Sequence, residues 1–171
     1  MEYAILGWPE DEPTLRLDYE VFSYAGKFVM SNSGKSVARE DGRLVAAIAF
    51  NEDRTDEETM WLRYVTVRSN RRGEGIGSEL ARFTTERIHD RGYRCVRIAV
   101  NNPFAYQALY GAGFGWTGEE TGLAELVLEH PAVRTDGTYQ SGLDVFRDRD
   151  LSADEMSFLA GKRGAKPPSS S

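Results

Sequence analysis

Hydrophobic and polar positions change period several times along this chain, and each change marks an element. Residues 3–6 are a short apolar run that predicts a strand. Leu15, Val21, Phe22 and Ala25 fall near one face of a helix over residues 13–28. Residues 35–38 and 43–50 flank Asp41-Gly42, a dipeptide that tolerates positive φ, and predict two strands joined as a hairpin. In the second strand Val45, Ala47 and Ala49 alternate with Leu44, Ala46, Ile48 and Phe50, so both faces are expected to be buried. Residues 51–58 are polar and acidic and predict a loop, and residues 61–67 predict the next strand. Ile76, Leu80, Phe83 and Ile88 then share a helical face to about Arg91, with Gly92 placed to end the helix. A strand over 96–100 leads to Asn102 as N-cap and Pro103 at the first helical position of a short helix that stops at Gly111-Ala112-Gly113-Phe114. Residues 114–117 and 124–129 predict two further strands. The order β-α-β-β-β-α-β-α-β-β describes an α/β fold with a mixed central sheet flanked by helices.

Composition narrows the class. The chain has 171 residues, 40% hydrophobic and 28% charged, a size and balance suited to one domain with a sizeable core. No apolar run approaches the roughly 18 residues that would span a bilayer. Met1-Glu2-Tyr3-Ala4 has no basic, signal-like character, and the single cysteine, Cys95, has no partner for an internal disulfide. These features place the expectation in the cytoplasm, away from a membrane. A formal charge of −6 argues against a nucleic-acid surface and favours cationic acceptors such as amines. Lys27, Lys35, Lys162 and Lys166 are the only lysines among 21 basic residues, a bias associated with salt-adapted proteins.

The densest chemistry lies at Arg71-Arg72-Gly73-Glu74-Gly75-Ile76-Gly77-Ser78, between the 61–67 strand and the helix that follows. Glycines let backbone turn sharply and approach a ligand, and the unpaired N–H groups of a first helical turn attract anions. Arg71 and Arg72 add cationic donors suited to phosphate. A Walker A loop is absent, because Gly34-Lys35-Ser36 lacks the leading glycine at Val29. A dinucleotide fingerprint fails as well, with Ser78 at its third glycine position.

Arg72-Gly73-Glu74-Gly75-Ile76-Gly77 fits R-x-x-G-x-G and resembles the coenzyme A loop of the GNAT N-acetyltransferase superfamily. Asn102, Ala105, Gly113 and Phe114 match that family's second signature in order and spacing. The resemblance implies acetyl-CoA as cosubstrate. The loop from Arg71 to Ser78 would hold its pyrophosphate, the backbone of Val65, Thr66 and Val67 would pair with pantetheine, and Asn102 and Ala105 would complete the cofactor site. It implies an acetyl-CoA-binding domain over residues 1–130. Residues 131–161 form an extension carrying a docked helix, for which Ser152-Ala153-Asp154-Glu155 supplies a capping box. A homodimer contact or a cleft lid are sharper readings of that helix. Residues 162–171, with Pro167-Pro168 and three serines, predict a disordered tail.

Acetyl transfer needs a neutral amine and a protonated leaving thiolate. The family often places a Glu in the strand before the loop, but Trp61-Leu62-Arg63-Tyr64-Val65 holds no carboxylate. Glu57, Glu58 and Glu119 lie nearby in sequence, and no base is assigned. The family's thiol-protonating Tyr position falls on Leu109, with Tyr110 beside it. Tyr110 is the first candidate for general acid, and Tyr106, one turn earlier on the same face, is the second. His89 and His130 lack ligands at metal spacing, so no metal is expected. Trp61 and Trp116 are candidate walls of an acceptor pocket. The rival reading is a CoA-binding regulatory or scaffolding module without catalysis.

Overall fold

The computed structural model describes residues 1–169, and the last two residues of the expected tail, 170 and 171, lie outside them. Seven strands and five α-helices occur among the described residues, the α/β class read from the sequence. They divide into two compact units, the first ending at Val96 and the second beginning at Arg97.

In the first unit β1 (Glu2–Gly7), β2 (Gly34–Glu40), β3 (Arg43–Glu52) and β4 (Thr59–Val67) form an antiparallel sheet in that order. Asp41 and Gly42 take φ of 52° and 77°, the paired positive values that close a two-residue hairpin. Val45 through Phe50 are all buried, as their uninterrupted apolar pattern requires. The helix α2 (Ile76–Asp90) buries Ile76, Leu80, Ala81, Thr84, Thr85 and Ile88, and the Thr84 hydroxyl meets that of Ser36 on β2 at 2.7 Å. On the opposite face of β2, Val37 joins Leu17, Phe22, Phe28, Ala47 and Ala49 in a core cluster.

The helix expected over residues 13–28 does not form; only α1 (Ala25–Phe28) is helical. Local polar groups capture the backbone instead. Asp18 Oδ1 accepts from the Glu20 amide at 2.9 Å, Leu15 N–H donates to the Phe28 carbonyl at 2.8 Å, and Tyr24 is left-handed at φ 62°. Leu15 and Leu17 therefore turn inward by strand-like alternation. The segment is fastened from below by Lys35, fully buried on β2. Its Nζ donates to the carbonyls of Pro13 (2.7 Å), Met30 (2.6 Å) and Ser33 (2.8 Å), and to the Ser33 hydroxyl (3.0 Å). Burial pulls its pKa down.

The strand β5 (Cys95–Val100) starts at the end of the first unit and enters the second at Arg97; there β7 (Leu126–His130) lies next to it and β6 (Gly115–Glu120) next to β7, with β6 and β7 antiparallel. Asn102 caps α3 (Pro103–Gly111) as expected, accepting the Ala105 amide at 2.8 Å. The helix α4 (Asp136–Arg147) was not anticipated, because Gly137 and Gly142 are poor helix formers. Its Tyr139, Leu143 and Phe146 are nonetheless a helical stripe, and Gly142 is required because a Cβ there would overlap the Tyr106 hydroxyl. The helix α5 (Ala153–Gly161) begins at the expected Ser152–Glu155 capping box. Residues 162–168 of the expected tail are tied to this unit. Gln140 donates to the Lys162 and Ala165 carbonyls, each at 2.8 Å, and Arg134 to that of Pro168 at 2.8 Å. No helix among the described residues is long and apolar enough to cross a membrane.

Lys35→Met removes every donor that these oxygens share and leaves the carbonyls buried. The expected result is a loss of about 3 kcal/mol of stability, read by urea unfolding, with early proteolysis within residues 13–33. Unchanged stability would show that the segment holds without the ammonium.

Candidate functional site

The glycine-rich loop is built as an open helix N-terminus. After β4 a single 3-10 turn spans Ser69–Arg71, and Gly73 and Gly75 then adopt φ of 82° and 81°. Gly75 is the N-cap of α2, and the first helical bond runs from Glu79 N–H to its carbonyl at 3.0 Å. The amides of Ile76, Gly77 and Ser78 thus have no acceptor in their own helix. No atom lies within 4 Å of where a side chain on Gly73 or Gly75 would begin, so space above the loop is open. A Cβ at Gly77 would stand 3.2 Å from Val67 Cγ2, so this glycine lets α2 lie against β4.

The two loop arginines differ. Arg71 is held between Glu74, at 3.1 Å, and Glu40, and these carboxylates keep it firmly protonated. It braces the loop. Arg72 is exposed, and among the described residues it donates to the Ser23 hydroxyl at 3.1 Å and pairs with no carboxylate.

Val65, Thr66 and Val67 pair with Ile48, Ala47 and Ala46 of β3. The Thr66 hydroxyl is buried and has no hydrogen-bond partner among the described residues. Just before them the register steps from Ala49↔Tyr64 to Phe50↔Leu62, so Arg63 is an extra residue bulged out of the ladder. Such a bulge bends the strand and frees backbone groups.

Beyond the bulge lies a cleft of about 970 Å³, lined by Trp61, Arg63 and Tyr64 of β4, by Lys27 and Met30, and by Asp53 and Arg54 after β3. Tyr24 packs on Tyr64 at 5.4 Å between ring centroids. Trp61 lines this cleft, whereas Trp116 borders a different one in the second unit. Lys27, Asp53 and Arg63 were missed in the sequence; an arginine inside an apolar strand was the available signal. Asp53 Oδ2 accepts from Trp61 Nε1 at 2.6 Å, and Oδ1 accepts from the Thr55 amide (2.9 Å) and hydroxyl (3.0 Å). These bonds, led by that of Trp61, hold its carboxyl down at about 2.

In the second unit Asn102 and Ala105 form the start of α3, while Tyr106 and Tyr110 are fully buried. Tyr106 donates to the Tyr139 carbonyl at 2.9 Å; desolvation first, then the neighbouring Tyr110, push its pKa far up. The Tyr110 hydroxyl accepts the Trp116 amide at 3.0 Å, and the Arg134 guanidinium stacks 5.3 Å from its ring centroid. Glu57, Glu58 and Glu119 are exposed, and no group among the described residues has metal-ligand geometry.

Because the Asp53 carboxyl titrates lower when folded, its bonds contribute stability above pH ~4 and lose it as pH falls towards 2. Trp61 fluorescence is expected to change across that window in the wild type and to lose the change in Asp53→Asn. A change that persists in the variant would assign the transition to another group.

Residues 2–116 match the acetyltransferase (GNAT) family. No curated protein matches the sequence. Among solved structures, the IAA acetyltransferase of Bacillus cereus ATCC 14579 aligns at TM-score 0.55 and 19% identity, over 75% of this chain and 98% of that one. An N-acetyltransferase of Staphylococcus aureus Mu50 aligns at TM-score 0.50 and 19% identity, over 57% and 66% of the two chains. The yncA protein of Salmonella typhimurium, solved with its cofactor acetyl-CoA, aligns at TM-score 0.50 and 16% identity, over 59% and 68%. Identities at this level speak to the fold alone. The chain spans 66%, 64% and 58% of the lengths of three of the solved structures it matches. The family match covers well over half of the sequence and includes both the loop and the start of α3: this chain belongs to the GNAT acetyltransferase family.

Proposed function

We propose that the protein is an N-acetyltransferase that moves the acetyl group of acetyl-CoA directly onto a primary amine. The observation that carries this reading is the open N-terminus of α2, with its unpaired amides, set against β4 by Gly77. The Ile76, Gly77 and Ser78 amides and Arg72 hold the pyrophosphate, while Arg71 and Glu74 brace the loop. Pantetheine lies along Val65–Val67 and ends near the Arg63 bulge, about 13 Å back along the strand at the usual rise. Asn102 and Ala105 contribute the second signature of the cofactor site.

The amine nitrogen attacks the thioester carbonyl carbon, the C–S bond breaks, and CoA leaves as a thiolate that takes up a proton. A backbone N–H freed at the bulge is positioned to polarise the carbonyl. A lysine-like amine needs about 4–5 kcal/mol to become neutral at pH 7. With no carboxylate in 61–67, its proton leaves through water. For the thiolate, Tyr110 is favoured over Tyr106, because its oxygen accepts the Trp116 N–H whereas Tyr106 spends its proton on a carbonyl. Both hydroxyls are buried, and 61–67 lacks a base; these two facts favour the second reading, a CoA-binding module without turnover.

Calorimetric titration with acetyl-CoA is expected to show binding by the wild type and its loss in folded Gly75→Asp, where a carboxylate enters the open space at a left-handed φ. No binding by the folded wild type would overturn both readings, and binding without thiol release over an amine panel would leave the second. Tyr110→Phe is expected to lower turnover roughly tenfold or more at saturating acetyl-CoA. Unchanged turnover with a lowered melting temperature would make Tyr110 an anchor for Trp116 only.

A further inference from the structure

The cleft beyond the β4 bulge carries both signs of charge, but the two signs are not equally committed. Its carboxylates already accept bonds, Glu10 from a cation and Glu52 and Asp53 from neutral donors that leave their charge in place. Glu10 pairs with Arg91, Glu52 accepts the Tyr93 hydroxyl, and Asp53 is bonded by Trp61 and Thr55. Its cations are open. No ion pair joins Lys27, Arg54 or Arg63 to a carboxylate among the described residues. Lys27 Nζ sits over the Tyr64 ring at 5.8 Å, and Arg63 lies over Trp61 at 5.1 Å with its Nε given to neutral Asn51 at 2.6 Å. Partial burial and the nearby Arg54 pull the Arg63 pKa down against the attraction of Asp53, and no bond from its terminal nitrogens occurs among the described residues.

We infer that the cleft takes an acceptor whose amine is accompanied by an anionic group, a carboxylate or a phosphate, held by Lys27, Arg54 and Arg63. This rests on the acetyltransferase reading and narrows its acceptor. A simple cationic amine would leave three cations facing it unpaired, whereas an amphoteric molecule meets both signs. The aromatic faces of Trp61 and Tyr64, with half-exposed Met30, leave room for an apolar body. The arrangement also serves the chemistry in a site with no base on its strand. An anion on the acceptor raises its own amine pKa, and pairing that anion with fixed cations removes the effect, while nearby positive charge lowers the pKa further. Arg63 links the two functions, because the residue that bulges out of β4 is the one whose guanidinium enters the cleft. The overall acidity of the chain, which by itself favours cationic acceptors, is not the local potential of this cleft.

The test is calorimetric titration of the protein, with and without CoA, using matched probes: L-tryptophan against tryptamine, and L-serine and O-phosphoethanolamine against ethanolamine. The anionic members are expected to bind roughly tenfold or more tightly than their uncharged-tail counterparts, and Lys27→Ala and Arg54→Ala are each expected to cut that ratio roughly threefold or more. Preference for the amino acids assigns a carboxylate; preference for O-phosphoethanolamine assigns a phosphate. Equal or tighter binding of tryptamine and ethanolamine, or binding of none of the anionic probes by folded, CoA-binding protein, overturns the inference and leaves the acetyltransferase reading intact. Failure of CoA itself to bind removes both.

Discussion

A buried ammonium with no carboxylate beside it constrains the first unit. Lys35 faces three carbonyls and a hydroxyl, and every one of them belongs to the segment that runs over the sheet between residues 13 and 33. A charge in such a place is tolerable only while all of its donors are met, so the segment must keep the path that brings those oxygens together. That path places Leu17, Phe22 and Phe28 on the sheet, and it sets Lys27 and Met30 at the rim of the cleft. Core and cleft wall are thus two consequences of one polar cluster.

Strand β4 gives the unit its direction. At one end Gly77 admits the helix against Val67, and the unpaired amides of α2 collect there. At the other, the extra residue at Arg63 ends the regular ladder and opens onto the cleft. A cosubstrate that is anionic at one end and reactive at the other matches a strand with those two termini. The charges follow the same division of labour: Arg71 is spent on Glu40 and Glu74, which fixes the loop, and Arg72 pairs with no carboxylate among the described residues. A loop whose cations were all free would repel itself when empty.

The second unit shows how aromatic residues serve packing and polarity together. Tyr106, Tyr110, Tyr139 and Phe146 interlock at centroid distances of 4.8 to 5.9 Å; the Tyr106 and Tyr110 hydroxyls meet backbone groups, and the Tyr139 hydroxyl donates to the Gln107 side chain. Gly142 gives up a side chain to admit one of those hydroxyls, which explains why a poor helix former sits inside α4. Burial pushes the Tyr106 and Tyr139 hydroxyls towards their neutral forms, since a phenolate there would have no solvent.

Features that depend on neighbours along the chain are legible in the amino-acid order. The Asp41-Gly42 hairpin, the doubly buried β3, the loop with left-handed Gly73 and Gly75, the Asn102 cap and the Ser152 capping box are each local, because φ preference, alternation and side-chain-to-amide reach act over a few residues. The tertiary structure alone decided the rest. Residues 13–28 held a fair helical face but lost it to bonds from Lys35 and to the turn at Asp18. The α4 stripe of Tyr139, Leu143 and Phe146 was legible, yet two glycines hid it until the Tyr106 contact gave them a reason. Which arginine is free, and which charges share a cleft, could not be read at all, since Glu40 lies 31 positions from Arg71 and Lys27 is distant in sequence from Arg63. Pairing of charges is settled by distance in space, and distance in space exists only once the chain has folded.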